Sequence, residues 1–234
     1  LEKEKTIKNL KRKEKEGHDS LRYLIHELKN SISTVGGFSQ LAMENEDNSK
    51  YLGYVNSSAK HMDSLLNDAF LLSRLENGGG LAAMETVDMS KQLDWAINAV
   101  SADTVSKEID IHLANGSPRV VNGNAIAIRQ VLINLISNAI KYNRKQGKIW
   151  VSTKETDDMI QVSVKDTGYG IPEEELPMIF EKFYRTKGSE QAQGSGLGLY
   201  LVKLLMDAMG GAGAVNSEEG VGSTFTVSFR KAQL

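Results

Sequence analysis

The chain has no cysteine. Disulfides and thiolate metal sites are therefore excluded, and a reducing compartment is allowed. No apolar run approaches the ~18 residues of a membrane span, and no signal-peptide pattern is present. Neither sign of charge dominates: 28 Lys and Arg face 30 Asp and Glu, a net charge of −2. That balance argues against a general binder of nucleic acid or membrane surface. What remains is 234 residues with 40% hydrophobic and 25% charged content, the composition of a soluble globular chain with one large or two small domains. The first residue is Leu, and the pattern opens as though already inside a helix. We therefore expect a fragment of a longer protein, whose missing part can hold a membrane anchor.

The most informative stretch surrounds one histidine. Apolar residues fall at Leu21, Leu24, Ile25, Leu28, Ile32 and Val35, the spacing of an amphipathic helix. His26 falls on the opposite, polar face, as does Asn30 one turn on. Glu27 follows the histidine directly. A lone histidine is most often a surface or satisfied core residue, and the polar face argues against core. A neutral imidazole is a usable nucleophile near pH 7, and an adjacent carboxylate can orient it and take its proton.

Residues 1–17 are rich in charge, with Leu1, Ile7 and Leu10 as their only large apolar residues. They read as a solvated helix, or more sharply as a coiled-coil signal helix over 1–18, with Gly17 a candidate hinge. From Asp19 a heptad follows: Leu21, Leu28, Val35 and Ala42, with Leu24 and Phe38 in the complementary positions. After a polar turn over 45–49, a second heptad carries Leu52, Val55, Ala59, Met62, Leu66 and Ala69, broadened by Tyr51, Leu65 and Leu72. Ser49 is its expected N-cap. Two such helices form an antiparallel hairpin over 19–77. One hairpin cannot bury two wide apolar faces, so a homodimeric four-helix bundle is expected. Asn77-Gly78-Gly79-Gly80 is the clearest break, with a linker over 78–85 and a second domain over 86–234. There, helices are expected at 90–105, 125–142 and 197–209, and strands at 109–113, 149–153, 159–165 and 224–229. The pattern lacks a regular β-α-β beat. It predicts an α/β sandwich with a mixed, mainly antiparallel sheet and helices on one face.

Four motifs lie in this second part. Asn134-Leu135-Ile136-Ser137-Asn138-Ala139, followed by Lys141 and Tyr142, puts two carboxamides on one face of an apolar helix, where they need partners if buried. Asp166-Thr167-Gly168-Tyr169-Gly170 ends a strand. Its carboxylate can accept from the exocyclic amine of a base, and its glycines let a ligand approach the backbone; alone it reads as an ordinary turn. Phe180-Glu181-Lys182-Phe183-Tyr184-Arg185 reads alone as an exposed amphipathic segment. Gly194-Ser195-Gly196-Leu197-Gly198-Leu199 opens a helix, where free N–H groups and the dipole favour phosphate.

In this order, from about Leu21 to Phe229, the motifs resemble the catalytic core of bacterial sensor histidine kinases of two-component systems. The hairpin is similar to their dimerisation and histidine-phosphotransfer domain, the remainder to the ATP-binding domain shared with DNA gyrase and mismatch-repair ATPases. The resemblance implies His26 as phosphoacceptor and Glu27 as its neighbouring acid/base. It implies Asn138 as the Mg²⁺ ligand with Asn134 in support, and Lys141, Tyr142 and Arg185 near the ATP phosphates. Asp166 would read the adenine amine beside Gly168 and Gly170. Gly194, Gly196, Leu197 and Gly198 would close the phosphate side, and Ser223 is counted with the nucleotide site. The stretch between Gly170 and Gly194 would be a mobile lid anchored by Phe180 and Phe183. The implied partners are a second copy of the chain and a response regulator whose aspartate receives the phosphate, in the cytoplasm. The order His-Glu-x-x-Asn further implies that Asn30 orients a water for dephosphorylation of the regulator. One departure stands out: Ser31 replaces the family's usual Pro, so this helix is expected to bend less. A hydrolytic ATPase of the gyrase kind is the alternative. Those relatives carry a Glu four residues before the Mg²⁺ asparagine, where Asn134 stands here and cannot act as a base. A non-catalytic nucleotide-binding scaffold is a third reading, and nothing in the intact motifs favours it.

Overall fold

The computed structural model describes residues 2–45, 47–81, 83–105, 107–114, 119–187 and 194–232, with side chains from residue 21 onward. The chain divides into two compact units, 1–73 with 193–195, and 74–192 with 196–234.

The first unit is an antiparallel hairpin of α1 (Glu2–Glu44) and α2 (Ser49–Glu76). Helical backbone continues through Gly17 and through Gly36 and Gly37. The N-cap of α2 is Asn48, one residue earlier than the sequence suggests, because its carbonyl accepts from Leu52 N–H at 2.9 Å. Phe38 of α1 stacks on Tyr54 of α2, ring centroids 4.5 Å apart, and lies 6.3 Å from Tyr51. Along α1 the covered stripe runs Leu24, Leu28, Ser31, Val35, Phe38 and Ala42, and along α2 it includes Val55, Ser58, Leu65, Asp68 and Leu72. Ser31 is thus a buried member of an uninterrupted helix, as expected where no proline removes a hydrogen bond. A second apolar stripe stays in water: Leu21, Ile25 and Ile32 on α1, Leu52, Leu66 and Phe70 on α2, each more than half exposed. Both predicted heptads therefore exist, but α2 turns Leu65 and Leu72 inward and leaves Leu52 and Leu66 outside. Burial leaves one group in an uncommon state. Desolvation by burial pushes the Asp68 carboxyl up to about 6.

The second unit is the sandwich. After β1 (Glu85–Asp88) and α3 (Met89–Val105) come β2 (Asp110–Ala114), β3 (Val120–Gly123), α4 (Ala125–Lys141), β4 (Lys148–Glu155) and β5 (Met159–Asp166). A 3₁₀ turn (Glu173–Met178), α5 (Gly198–Ala208), β6 (Ala212–Glu218) and β7 (Gly222–Arg230) complete it. The main sheet has the order β2-β4-β5-β7-β6. Only β2 and β4 pair in parallel; β1 and β3 form a small antiparallel sheet of their own. Alternation along the strands puts Ile149, Val151, Ile160, Val162, Val164, Phe225, Val227 and Phe229 on one buried face. The helices cover that face, and α4 packs against α3, α5 and β5. Asn124 caps α4 by accepting from the Ala127 N–H at 3.0 Å. Ile128, Leu132 and Ile136 on the inner side of α4 are fully buried, each contributing about 1.5–3 kcal/mol of transfer free energy.

The other sheet face meets water. His112, Trp150, Lys165, Thr224 and Asn216 form one row across all five strands, with His112 stacked on Trp150 at 5.9 Å. Most expected elements are present within a residue or two. The sequence reading missed β1, β3 and β6. The first two are four residues each, and β6 is an edge strand of Ala, Gly and polar residues with no buried position.

At the mouth of the sandwich, Gly170 has φ of +68°, and a Cβ there would lie 1.9 Å from the Glu218 carbonyl oxygen. Gly170→Ala is expected to lower stability in chemical denaturation by about 1–3 kcal/mol or more; an unchanged midpoint would show that this contact can relax.

Candidate functional site

Two groups of functional side chains arise, one in each unit. In the hairpin, His26 sits on the polar face of α1 with its side chain 72% exposed. Its Nδ1 lies 3.2 Å from Asn30 Nδ2, one turn along the same helix, and 3.9 Å from Glu27 Oε1. The i, i+4 geometry of the helix creates the first contact, and adjacency the second. Both partners lie at Nδ1, so Nε2 is the ring nitrogen that neither of them engages. The other oxygen of Glu27 lies 3.8 Å from Nε2 of His61, which α2 brings across the hairpin. Glu27 and His61 are both largely covered, at 21% and 17% exposure. No local motif marks His61; only the pairing of the helices reveals it.

In the sandwich, α4 is the common support. Asn134 and Asn138 stand four apart on it, both half-buried. They differ in use. Asn134 donates to the Gly198 carbonyl at 3.2 Å, which ties α4 to the first turn of α5. The Asn138 carboxamide makes no hydrogen bond to a described residue and stays available. At the end of α4, Lys141 lies over the Tyr142 ring at 4.7 Å. Burial first, and then the neighbouring charges of Arg185 and Lys107, push the Lys141 ammonium down to about 8. Burial also raises the Tyr142 hydroxyl, against the pull of Arg185. Three cations thus converge with no carboxylate among the groups acting on Lys141. Lys107, which no motif marked, donates to the carbonyls of Ile140 and Asn143 at 3.2 Å and also to that of Lys141. It satisfies the open C-terminal end of α4.

Asp166 closes β5 and is 6% exposed. Its Oδ1 accepts from Gly168 N–H at 2.8 Å and from Ser223 N–H at 3.3 Å. Burial raises its pKa, and these two backbone donors oppose the rise. With Oδ1 doubly engaged, Oδ2 is the acceptor left for an incoming donor. Ser223 belongs to this site through its backbone, while its hydroxyl bonds that of Ser217 at 2.9 Å. The glycines serve the chain's own packing. A Cβ on Gly168 would lie 2.4 Å from the Tyr142 carbonyl oxygen, and one on Gly196, with φ of +69°, 2.7 Å from the Phe183 carbonyl carbon. The ends of α4, of β5 and of the glycine-rich segment can close together only because those positions lack side chains. Phe183 donates its N–H to the Gly196 carbonyl at 3.1 Å, and Leu197 beside it is fully buried. Gly194 and Gly198 flank this contact. The expected lid falls partly on residues 188–193, outside the described residues; its earlier part is the 3₁₀ turn and the Phe180–Arg185 segment, with both phenylalanines half-buried. Asn143, also unmarked by any motif, is 1% exposed. Its carboxamide donates to the Lys148 carbonyl and accepts from the Arg144 N–H and the Thr167 hydroxyl, binding the end of α4 to β4 and β5.

A sandwich that gathers cations and one uncommitted carboxamide along one helix, in the same chain as a hairpin that exposes a histidine, has the architecture of a histidine kinase catalytic core. Comparison with known proteins agrees. Residues 19–78 match the His Kinase A (phospho-acceptor) domain, and residues 123–233 match the histidine kinase-, DNA gyrase B- and HSP90-like ATPase. The circadian input-output histidine kinase CikA of Synechococcus elongatus is 32% identical over 86% of this chain and 28% of its own length. The aerobic respiration control sensor protein ArcB of Escherichia coli K12 is 32% identical over 87% of this chain and 27% of its own. Among solved structures, full-length ShkA in complex with AMPPNP aligns with a TM-score of 0.67 at 27% identity, covering 91% of this chain and 46% of that one. The Acinetobacter baumannii histidine kinase AdeS shares the fold with a TM-score of 0.69 at 23% identity, over 89% of this chain and 98% of its own. The chain belongs to the sensor histidine kinases and carries their catalytic core. It spans about a quarter of the length of the curated relatives it matches.

Asp166→Ala removes the acceptor of two buried N–H groups, a cost of about 1–3 kcal/mol to folding. It is also expected to weaken ATP binding at temperatures where the variant stays folded, with GTP binding little changed; equal loss for both nucleotides would detach Asp166 from the base.

Proposed function

We propose that this core phosphorylates His26 from ATP, passes the phosphate to an aspartate of a response regulator, and dephosphorylates that regulator. The observation that carries this reading is the placement of His26: exposed, with Nδ1 beside Glu27 and Asn30 and Nε2 engaged by neither. In the first step the Nε2 lone pair attacks the γ-phosphorus. The bond to the β,γ-bridging oxygen breaks and its electron pair leaves with ADP; this uses the tautomer with the proton on Nδ1, to which Asn30 turns its carboxamide oxygen in place of Nδ2, and that proton passes to Glu27 Oε1. In the second step a regulator carboxylate attacks the same phosphorus, the N–P bond breaks, and Glu27 returns the proton to Nδ1.

The nucleotide is assigned to the sandwich. Lys141 and Arg185 face the phosphates, where an incoming anion relieves the repulsion between them. Tyr142 lines the same end, and Gly194, Gly196, Leu197 and Gly198 bring the start of α5 beside it. Asp166, fixed by Gly168 and Ser223, accepts from the adenine amine through Oδ2, with Gly170 shaping the turn. Asn138 fits Mg²⁺ as one neutral oxygen ligand, because its carboxamide is uncommitted and this hard cation takes its other ligands from phosphates and water. Bound there, the ion neutralises charge on the phosphates. Among the described residues there is no group of three or more acidic, His or Cys side chains that could hold a metal, so one amide oxygen beside ATP is the arrangement this chain offers. Asn134 has a different part: committed to Gly198, it holds the glycine-rich turn against α4. An amide so placed does not activate water, which leaves the hydrolytic ATPase reading without a base.

The exposed stripe of Leu21, Ile25, Ile32, Leu52, Leu66 and Phe70 supports a homodimeric four-helix bundle, since a second copy would cover it. Among the described residues no helix is long and apolar enough to cross a membrane; dependence on ATP and on a regulator supports a cytoplasmic site of action. The domain plan we propose is a signal helix over 1–18, the phosphotransfer hairpin over 19–77, a linker over 78–85 and the ATP-binding domain over 86–234.

Asn30 supplies the third activity. Its carboxamide stands one turn from His26, on the exposed face where a regulator's acyl phosphate must sit. There it can orient a water for in-line attack without acting as a base. The experiment pairs two variants. His26→Ala is expected to bind ATP normally and take up no acid-labile phosphate; label on another residue would overturn the assignment. Asn30→Ala is expected to keep autophosphorylation within about threefold while losing most ADP-dependent release of phosphate from the phosphorylated regulator. Release at the parent's rate would remove Asn30 from that step.

A further inference from the structure

We infer that His61, on the second hairpin helix, is a positioning residue for the phosphorylation of His26, acting through Glu27. The inference rests on the assignment of Glu27 as the group that takes the Nδ1 proton. The geometry is a line of three side chains. Glu27 Oε1 lies 3.9 Å from His26 Nδ1, and Glu27 Oε2 lies 3.8 Å from His61 Nε2. The two oxygens of one carboxylate are therefore divided between two imidazoles.

A glutamate beside its own phosphoacceptor, on a helix surface, has three side-chain torsions and samples several rotamers. His61 supplies the restraint from α2, and covering by the hairpin keeps bulk water from competing with it. A slight closure of 3.8 Å gives an N–H···O bond from His61 Nε2 to Oε2. That bond holds the carboxylate plane so that Oε1 faces Nδ1, and it leaves the basic lone pairs of Oε1 for the migrating proton. The proton balance is unchanged: it leaves His26 Nδ1 and rests on Glu27 Oε1, while His61 keeps its own proton as donor. His61 touches neither nucleotide nor phosphorus. The same arrangement recurs as a histidine oriented by a buried carboxylate in other transfer enzymes, here with the roles exchanged.

The test uses the full chain and initial rates of acid-labile phosphate incorporation from labelled ATP, across an ATP titration. His61→Leu removes the donor at similar volume. His61→Asn keeps polarity but falls short of Oε2, and serves if the leucine variant fails to fold. His61→Gln places an amide N–H where Nε2 stood. Each is made in the parent and in a Glu27→Gln background. The expected result is a fall of about tenfold in kcat for His61→Leu and His61→Asn with KM for ATP unchanged, and retention within about threefold for His61→Gln. In the Glu27→Gln background the same changes should have no further effect, because the group they position is already gone. A merely structural role would lower the rate equally in both backgrounds, and that outcome overturns the inference. So does a parent-like kcat for His61→Leu, or a loss in His61→Gln as large as in His61→Leu. If Glu27→Gln alone proceeds at the parent's rate, the assignment of Glu27 fails and this inference fails with it. A slow Glu27→Gln with fully additive His61 losses sinks only the inference.

Discussion

The second unit is organised around a repulsion. Lys141 ends α4 with its ammonium largely withdrawn from water and two further cations acting on it. At the same helix end the backbone carbonyls take a lysine, Lys107, as their cap. Such an assembly costs stability when nothing anionic is present. It persists because the rest of the unit is well packed: α4 lies against α3, α5 and β5 with its whole apolar side buried. In the function we propose, a polyphosphate relieves this repulsion, and the relief contributes to affinity. The same helix carries the two asparagines, and the carbonyl of its C-cap residue, Tyr142, accepts from the Tyr169 N–H, which ties this helix end to the Asp166 turn. In the function we propose, phosphate, metal and base recognition share one rigid support.

The hairpin meets a different requirement. A phosphoacceptor must be reachable by a nucleotide and later by a regulator, so it cannot be packed. His26, the phosphoacceptor we propose, is exposed and held locally. Asn30 and Glu27 fix the ring from the helix it belongs to, and His61 reaches Glu27 from the helix opposite. The bundle core beneath supplies the rigidity, and its uncovered apolar stripe supplies the surface for a second copy.

Much of this was legible in the order of residues, and the reasons differ by element. The apolar periodicity of α1, α2, α4 and α5 is strong because each buries one stripe. The polar motifs were legible because their residue types are costly in such places: two asparagines on an apolar helix, an aspartate at a strand end, glycines at a helix start. β6 was not, because an edge strand exposed along its length has no alternation to read. The glycines were legible as positions but not as reasons; they admit the chain's own carbonyls at Tyr142, Tyr184 and Glu218. Lys107, Asn143 and His61 were missed for a common cause. Each acts on a residue far away in sequence, and a local pattern carries no trace of a long-range partner. The burial of Ser31 and the choice of Leu65 and Leu72 over Leu52 and Leu66 likewise depend on the pairing of two helices.

The claim that the α4 cations form a prebuilt phosphate site is tested most directly by calorimetry. ATP binding would be measured at pH 8 in two buffers of different ionisation enthalpy. Free Lys141, with its pKa lowered to about 8, is half-deprotonated there, and a bound triphosphate restores its proton. The account predicts uptake of about half a proton per ATP, shrinking toward pH 7 and absent in Lys141→Arg, whose guanidinium never loses its charge. Binding enthalpies that do not depend on the buffer, or an uptake unchanged in Lys141→Arg, would contradict it.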